Sequence, residues 1–328
     1  MLLTVSNLSI EIATSAGKLK VVQGVSFDIS KGETLCIVGE SGCGKSITAL
    51  SLMGLLPKAA RPSAEELLFD GIDLQKINSK DLRGLRGNRI SMIFQEPMTS
   101  LNPLHTIGRQ LSDVYRAHRQ ATRKEAEARA VHLLKEVGIS NAVQRLRQYP
   151  HELSGGLRQR IVIAMALMCE PDLVIADEPT TALDVTIQAE LLRLLKDLQK
   201  KFGMGIIMIT HDLGLVSRIA DRVIVMYAGQ VVESAPARQL FDRPAHPYTR
   251  ALLSSVPDPS HARMQPLPSI PGNVPSLLTP MDGCHFYDRC SYASEACRRQ
   301  IHLREVSEQH QARCIMVDET SAPLRVMK

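Results

Sequence analysis

Short apolar segments recur along the chain and predict its β-strands. In residues 8–14 and 25–29 apolar and polar side chains alternate, and the turn-forming residues 15–17 lie between them. Four later segments are almost continuously apolar, which is typical of strands that are buried on both faces. They span residues 33–38, 90–94, 172–177 and 205–210. The pattern therefore predicts an N-terminal antiparallel β part followed by buried strands.

Helical patterns separate these strands. Apolar side chains recur at helical spacing in residues 46–56, 122–137, 157–168 and 189–202. A hairpin with Gly229 at its turn is predicted over residues 222–235. Strands that alternate with helices are typical of an α/β fold with a mainly parallel sheet, which is the fold class that the sequence predicts.

Composition excludes several classes of protein. The chain has 328 residues, of which 44% are hydrophobic and 22% charged, as in an ordinary globular protein of about two domains. The 39 basic and 34 acidic residues leave a net charge of only +5, and no run of Lys or Arg accompanies it. Because Trp is absent and aromatic residues make up 4%, stacking platforms for bases are not expected, and no nucleic-acid partner is predicted.

Membrane and export signals are not evident in the sequence. No apolar run approaches the roughly 20 residues that a membrane helix needs. The first residues lack the basic region that precedes the apolar part of a signal peptide. We therefore expect the chain to stay in the cytosol, where its seven cysteines would be reduced.

Residues 39–46, Gly-Glu-Ser-Gly-Cys-Gly-Lys-Ser, fit the phosphate-loop pattern G-x-x-x-x-G-K-[ST]. They follow a predicted strand and open a predicted helix, which is the context that the pattern requires; a chance glycine-rich turn is the alternative. We expect the Lys45 ammonium to reach the β- and γ-phosphates of ATP and the Ser46 hydroxyl to bind Mg²⁺. The loop residues expected at the nucleotide are Gly39, Ser41, Gly42, Cys43, Gly44, Lys45 and Ser46.

Two acidic residues end the predicted strand at residues 172–177. Asp177 is expected to hold Mg²⁺ or its water shell, because a carboxylate at the end of a buried strand is the usual partner of a phosphate loop. Glu178 follows directly and is expected to polarise the attacking water as a general base. A solvated acidic loop is the alternative interpretation.

Residues 153–159, Leu-Ser-Gly-Gly-Leu-Arg-Gln, resemble the signature motif of the ATP-binding-cassette (ABC) ATPases. Other positions follow in the order of that family. Gln95 resembles its Q-loop glutamine, residues 182–184 resemble its D-loop, and His211 resembles its switch histidine. The resemblance implies a P-loop ATPase fold of the α/β class, with an N-terminal antiparallel β part and a helical subdomain.

The same resemblance implies roles for these residues. Gln95 would contact Mg²⁺ or the attacking water, and His211 the γ-phosphate. Ser154, Gly155 and Gly156 open a helix whose N-terminus can hold an anion. In the family, this motif closes on the γ-phosphate held by a second subunit in a head-to-tail dimer. Without the other motifs, His211 would be interpreted as a core histidine.

Four further segments resemble the dipeptide, oligopeptide and nickel importer ATPases. They are residues 96–103, 149–152, 246–249 and 270–275. The resemblance implies an ATP-hydrolysing subunit that energises peptide import, with nickel or another small solute as the alternative. It also implies two membrane permease subunits, a solute-binding protein and a second, different ATPase subunit, at the cytoplasmic face of the inner membrane. A soluble ABC ATPase acting in DNA repair or translation is the alternative from another class.

Composition and resemblance together divide the chain. Residues 1–256 would form the nucleotide-binding domain, with the helical subdomain at about 96–165. Residues 257–283 hold seven of the 18 prolines and predict an extended linker. Residues 284–328 would form a small Cys-rich C-terminal extension.

Four cysteines, Cys284, Cys290, Cys297 and Cys314, lie in this extension. Their spacing is not the C-x₂-C pairing of zinc ribbons. Four thiolates can bind a [4Fe–4S] cluster, and in the resembling importers this motif is associated with one. Zinc, free thiols and disulfides are the alternatives. A tail this short lacks apolar residues for its own core, so a bound metal would stabilise its fold. A redox or iron sensor that gates transport is a further interpretation of the tail.

Overall fold

The structure is a computed structural model, and it describes residues 1–180, 184–255, 269–279 and 281–317, apart from the side chains of residues 97, 98 and 185. The strands are β1 (Leu3–Thr14), β2 (Gly17–Ile29), β3 (Thr34–Val38), β4 (Ala60–Ser63), β5 (Glu66–Phe69), β6 (Ile72–Asp73), β7 (Ile90–Ile93), β8 (Leu173–Asp177), β9 (Gly205–Thr210), β10 (Arg222–Tyr227), β11 (Gln230–Pro236), β12 (Arg304–Ser307) and β13 (His310–Ala312). The helices are α1 (Lys45–Leu52), α2 (Ser79–Leu85), α3 (Pro97–Ser100), α4 (Ile107–His118), α5 (Arg123–Glu136), α6 (Ala142–Arg145), α7 (Gly155–Ala166), α8 (Val185–Phe202), α9 (Leu213–Ile219), α10 (Ala237–Asp242) and α11 (Pro247–Ser254). Short 3₁₀ turns span Pro150–Glu152, Tyr287–Arg289 and Glu295–Arg298.

Contacts divide the chain into two compact units, and the first comprises residues 1–3, 28–34 and 68–209. Its parallel strands are β7, β8 and β9, with Ile90 opposite Leu173 and Asp177 opposite Ile209. All five residues of β8 are buried, as the apolar run predicts. An ion-pair network holds the start of this sheet, because the Arg89 guanidinium contacts both Asp70 and Asp172 at 2.6 and 2.7 Å.

Helices α3 to α7 form the helical part of the first unit. The prediction of a helix at residues 122–137 is confirmed by α5, whose N-cap is Thr122. The Thr122 hydroxyl accepts from the Glu125 N–H, and the Glu125 carboxylate accepts from the Thr122 N–H, so the two residues form a capping box. The apolar stripe of α5 is buried at Ala126, Ala130, Leu133 and Leu134.

The second unit comprises residues 4–27, 35–67 and 210–328. Here β1 is hydrogen-bonded to β2 and pairs antiparallel with β4, so the antiparallel β part is present near the N-terminus. Strand β10 pairs parallel with β3 and antiparallel with β11, and a bulge lies between Val225 and Met226. The predicted hairpin at residues 222–235 is therefore confirmed.

The C-terminal residues add two strands beside β11, which the sequence pattern did not predict. Strand β13 pairs antiparallel with β11, and β12 pairs with β13. A buried contact joins the two strands: Glu233 of β11 and His310 of β13 are 0% and 2% exposed, and their side chains are within hydrogen-bond distance, at 2.7 Å. The tail thus gains burial from β11 instead of needing a core of its own.

A helix that crosses a bilayer needs about 20 mostly apolar residues. Among the helices that the structure describes, none has the length and apolar character to cross a membrane.

Candidate functional site

The predicted phosphate loop lies in the second unit, between the buried strand β3 and helix α1. Gly39 has φ +153° and a Cβ there would collide with the Met226 carbonyl oxygen. Gly44 has φ +103°, and its Cβ would lie 2.6 Å from the Val21 carbonyl oxygen. Both positions therefore require glycine for conformation and for space, which explains this part of the motif.

Lys45 begins helix α1 and is only 5% exposed. Its ammonium donates to the Gly39 carbonyl at 2.7 Å and to the Glu40 carbonyl at 2.9 Å, so the charge is held within the loop. Ser46 follows it and is half-buried, while Ser41 and Gly42 are exposed. The loop presents a fixed cation at a helix N-terminus, which is suited to a polyphosphate.

Cys43 occupies the loop as a buried residue, 1% exposed. Burial raises the pKa of its thiol, so the thiol stays protonated at neutral pH. Its carbonyl accepts from the Gly229 N–H at 3.1 Å, which ties the loop to the β10–β11 turn. The cysteine is therefore a structural part of the loop.

Glu40 anchors the loop to the C-terminal part of the second unit, a contact that sequence reasoning missed. The Glu40 N–H donates to the Tyr248 hydroxyl at 3.0 Å. Its carboxylate oxygens lie 2.9 and 3.1 Å from Nη1 of Arg289. These partners are 208 and 249 residues away along the chain, so no local signal could have indicated them.

In the first unit, the structure brings Gln95 and Glu178 together. Asp177 is the last residue of β8 and is 6% exposed. Glu178 turns out of the strand with φ +46°, and its N–H donates to the Ile209 carbonyl at 2.9 Å. The Gln95 side-chain amide donates to the Glu178 carboxylate at 2.9 Å. The carboxylate is thus oriented by a fixed donor, as a water-polarising group needs to be.

The signature-like residues form the start of a helix. Ser154 is the N-cap of α7, and its hydroxyl accepts from the Leu157 N–H at 3.4 Å. Gly155 and Gly156 are the first two residues of α7, whose first turn contains no acidic side chain. The positive end of the helix dipole is therefore not offset by a carboxylate in that turn, which favours an anion there.

His211 belongs to the second unit, where it follows β9 directly and is exposed. Of the D-loop-like residues 182–184, the first two lie outside the described residues, and Asp184 is the N-cap of α8.

The four C-terminal cysteines line one small cavity of about 10 Å³, together with His246, Tyr287 and other side chains. Cys297 and Cys314 are buried, and Cys284 and Cys290 are half-buried. Burial raises the pKa of the Cys284 thiol to about 11. In the part of the chain that the structure describes, no three Cys, His, Asp or Glu side chains are placed to hold a metal ion. The placement of the described side chains therefore supports neither the predicted iron–sulfur cluster nor the zinc alternative.

Comparisons with protein-family models match two regions of the chain. The ABC transporter model matches residues 22–181, which include the phosphate loop, Gln95, Ser154 and Asp177. The model of the oligopeptide/dipeptide transporter C-terminal region matches residues 232–297, which include Glu233, Tyr248 and Arg289.

Relatives with assigned names match almost the whole chain. A probable peptide ABC transporter ATP-binding protein of Sinorhizobium fredii is 51% identical, covering 96% of this chain and 94% of that protein. The dipeptide transport ATP-binding proteins of Bacillus subtilis and Escherichia coli are 49% and 46% identical, covering 97% and 95% of this chain and 95% and 96% of those proteins. The ATP-binding cassette MJ0796, solved as a dimer with ADP and Pi, has a TM-score of 0.65 and 26% identity, covering 72% of this chain and 99% of that one. The chain therefore belongs to the ABC transporter ATPases, in the group that carries the oligopeptide/dipeptide transporter C-terminal region.

Proposed function

We propose that this chain binds and hydrolyses ATP to energise the import of dipeptides or oligopeptides. The observation that carries the proposal is the match of one chain to both the ABC cassette and the peptide-transporter C-terminal region. The named relatives support peptides as the solute over nickel, since their names refer to peptide, dipeptide or oligopeptide transport.

Each catalytic residue has a proposed role. Lys45 binds the β- and γ-phosphates from within the loop, and Ser46 and Asp177 supply the hydroxyl and carboxylate oxygens that Mg²⁺ prefers. Bound Mg²⁺ would neutralise charge on the phosphates. Glu178, held by the Gln95 amide at 2.9 Å, accepts a proton from the attacking water. His211 contacts the γ-phosphate, and the α7 N-terminus at Ser154 contacts it from a second subunit.

The test of this mechanism is Glu178→Gln, which keeps the shape of the side chain and removes its basicity. ATP hydrolysis should fall by roughly 10²–10⁴-fold, and ATP affinity should change little. Glu190→Gln is the matched control, because Glu190 is an exposed carboxylate of the same unit that pairs with Arg160. Normal turnover in Glu178→Gln, measured by phosphate release, would rule out the assigned base.

A cleft on the helical part of the first unit is the proposed docking site for a membrane permease. It has a volume of about 480 Å³, and Leu104, Arg109, Ser112, Arg116 and Tyr149 are among the residues that line it. Leu104 is 79% exposed at the edge of this cleft, and most of the other lining side chains are polar or charged. In the family, the groove beside this subdomain and the Gln95 segment receives a short helix of the membrane subunit.

The proposed assembly contains two permeases, a solute-binding protein and a second, different ATPase, with this chain bound peripherally at the cytoplasmic face of the inner membrane. Gentle purification from membranes, followed by mass spectrometry, tests it. Recovery of all four partner subunits supports the assembly and supplies a binding protein for assays with peptides and nickel. Recovery with ribosomal or DNA-bound partners would contradict the transport role and leave the ATPase chemistry intact.

For the C-terminal cysteines we propose a [4Fe–4S] cluster rather than zinc. Four sulfurs line one cavity, which supports a shared ligand. The four thiolates would supply the ligands that such a cluster takes from cysteine. Anaerobic purification with iron and sulfide analysis tests this. Colourless, iron-free protein would contradict the cluster, and stoichiometric zinc would favour the alternative.

A further inference from the structure

One guanidinium in the C-terminal part of the second unit joins three separate segments. Nη1 of Arg289 donates to both oxygens of the Glu40 carboxylate, at 2.9 and 3.1 Å, and lies 3.2 Å from the Tyr227 hydroxyl. Nε donates to the Pro271 carbonyl at 2.8 Å, and Nη2 to the Ile270 carbonyl at 3.3 Å. The side chain of Arg289 is only 7% exposed, and its contacts with Glu40, Tyr227 and Ile270 are partly buried. Only a planar group with several donors can satisfy all of them, which distinguishes arginine from lysine here.

Glu40 is fixed at three points as a result. Its carboxylate binds Arg289, its N–H binds the Tyr248 hydroxyl, and its carbonyl accepts from the Lys45 ammonium. Two of these three contacts come from C-terminal residues. The backbone position of the second residue of the phosphate loop is therefore set partly by the C-terminal region.

The turn that carries Arg289 is bracketed by two cysteines. Arg289 lies in the 3₁₀ turn Tyr287–Arg289, between Cys284 and Cys290. The Tyr287 N–H donates to the Cys284 carbonyl at 3.0 Å, and the Cys290 N–H donates to the Tyr287 carbonyl at 3.2 Å. Both cysteines also line the cysteine cavity. Whatever fixes these two thiols thus also fixes the turn.

We propose that Arg289 is a positioning residue that latches the phosphate loop through Glu40 and makes nucleotide affinity depend on the cysteine cavity. The proposal rests on the proposed function, because it concerns the affinity of the same loop for ATP. Arg289 neutralises the Glu40 carboxylate. Without the guanidinium, the loop would carry an unpaired negative charge that repels a polyphosphate.

The test is the affinity of the full-length chain, purified anaerobically with Mg²⁺ present, for a fluorescent ATP analogue. Arg289→Gln should weaken binding by about tenfold, the size expected for losing hydrogen bonds to a charged group. Arg289→Lys should recover only part of that loss, since one ammonium cannot reach all the acceptors. Arg298→Gln is the matched control, because Arg298 contacts Tyr287 of the same turn and forms its ion pair with the exposed Glu295.

A double variant distinguishes the latch from a general effect on folding. Glu40→Gln removes the charge that Arg289 neutralises, so adding Glu40→Gln to Arg289→Gln should restore part of the affinity. A purely structural role for Arg289 would instead lower the unfolding temperature by the same amount with or without the Glu40→Gln substitution, and it would give no recovery of affinity. If Arg289→Gln does not fold, Arg289→Lys and Glu40→Gln provide the same comparison.

The cysteine arm uses Cys290→Ser. Cys290→Ser should weaken analogue binding in the wild-type background. In the Arg289→Gln background it should weaken binding by less than about twofold more, because the cysteine acts on the loop through Arg289. Unchanged affinity in Arg289→Gln, with normal wild-type binding, would overturn the latch and leave the proposed function standing. A wild-type chain that binds no nucleotide would overturn the proposed function and the latch together.

Discussion

The buried Glu233 carboxylate offers the most direct test of how the C-terminal strands are held. It is 0% exposed and accepts from the Ala245 and His246 N–H groups at 2.7 and 2.8 Å. Its third partner is Nε2 of His310, at 2.7 Å. His310→Leu removes this side-chain partner and leaves the two backbone donors in place. The carboxylate then remains buried without its side-chain partner.

The expected cost follows from that burial. Losing a hydrogen bond to a charged group costs about 1.5–3 kcal/mol, and the carboxylate stays buried with only its two backbone donors. For a unit of this size, this loss lowers the unfolding temperature by roughly 3–12 °C. Adding Glu233→Gln to His310→Leu removes the buried charge, so the double variant should be less destabilised than the sum of the two single variants.

Thermal unfolding followed by circular dichroism, on the two single variants and the double variant, measures these differences. His302→Leu is the control, since His302 is an exposed histidine of the same tail. A free energy of unfolding of His310→Leu within about 1 kcal/mol of wild type would refute the reasoning, because the loss of a hydrogen bond to a buried carboxylate should cost more than that. Full additivity in the double variant would show that the pair does not act through its charge.

Three further predictions concern single residues. Thr122→Ala should lower the free energy of unfolding by about 1 kcal/mol through loss of the α5 cap, as measured by denaturant unfolding, whereas Thr122→Ser should not. A maleimide should label half-buried Cys290 of metal-free protein before Cys43, because burial raises the pKa of both thiols and Cys43 is the less accessible of the two. Mass spectrometry locates the label, and ATP should slow the labelling of Cys43 further. Gly39→Ala should abolish binding of the ATP analogue, because its Cβ would collide with the Met226 carbonyl, while Gly42→Ala adds only backbone strain.

Each of these has a result that would contradict it. Equal stability of the Ala and Ser variants at position 122 would mean that the cap does not stabilise α5. Faster labelling of Cys43 than of Cys290 would show that the loop opens readily, and full ATP binding after modification of Cys43 would exclude the loop from the nucleotide site. Normal affinity in Gly39→Ala would mean that the β10 backbone can move away from the loop.

The fold could be predicted where local pattern determines it. The apolar run at residues 205–210 coincides with β9, and α5 ends one residue inside each predicted boundary. Helix α8 begins at Val185, four residues before the residue 189 that the apolar pattern indicated. Strands β12 and β13 were missed because they are four and three residues long and mostly polar. Their pairing depends on Glu233 and His310, which are 77 residues apart.

In the candidate site, too, local sequence patterns could be predicted and long-range contacts could not. The phosphate loop and Glu178 were predictable because their chemistry needs fixed residue types at fixed spacing. The contact from Gln95 to Glu178, across 83 residues, was not predicted, because the family resemblance indicated only that Gln95 would contact Mg²⁺ or the attacking water. The domain division and the roles of the individual site residues stay predictions.

The contacts of Glu40 show why the sequence could indicate the chemistry of the phosphate loop but not the C-terminal residues that hold the loop in place. In the motif, Glu40 occupies a variable position, so the pattern places no requirement on it. The structure gives that position a requirement of its own, because a side chain there must satisfy a guanidinium that is only 7% exposed. An arginine so buried destabilises the fold unless its donors are satisfied. Substitutions at residue 40 should therefore be limited by Arg289 of the C-terminal region, and not by the nucleotide alone.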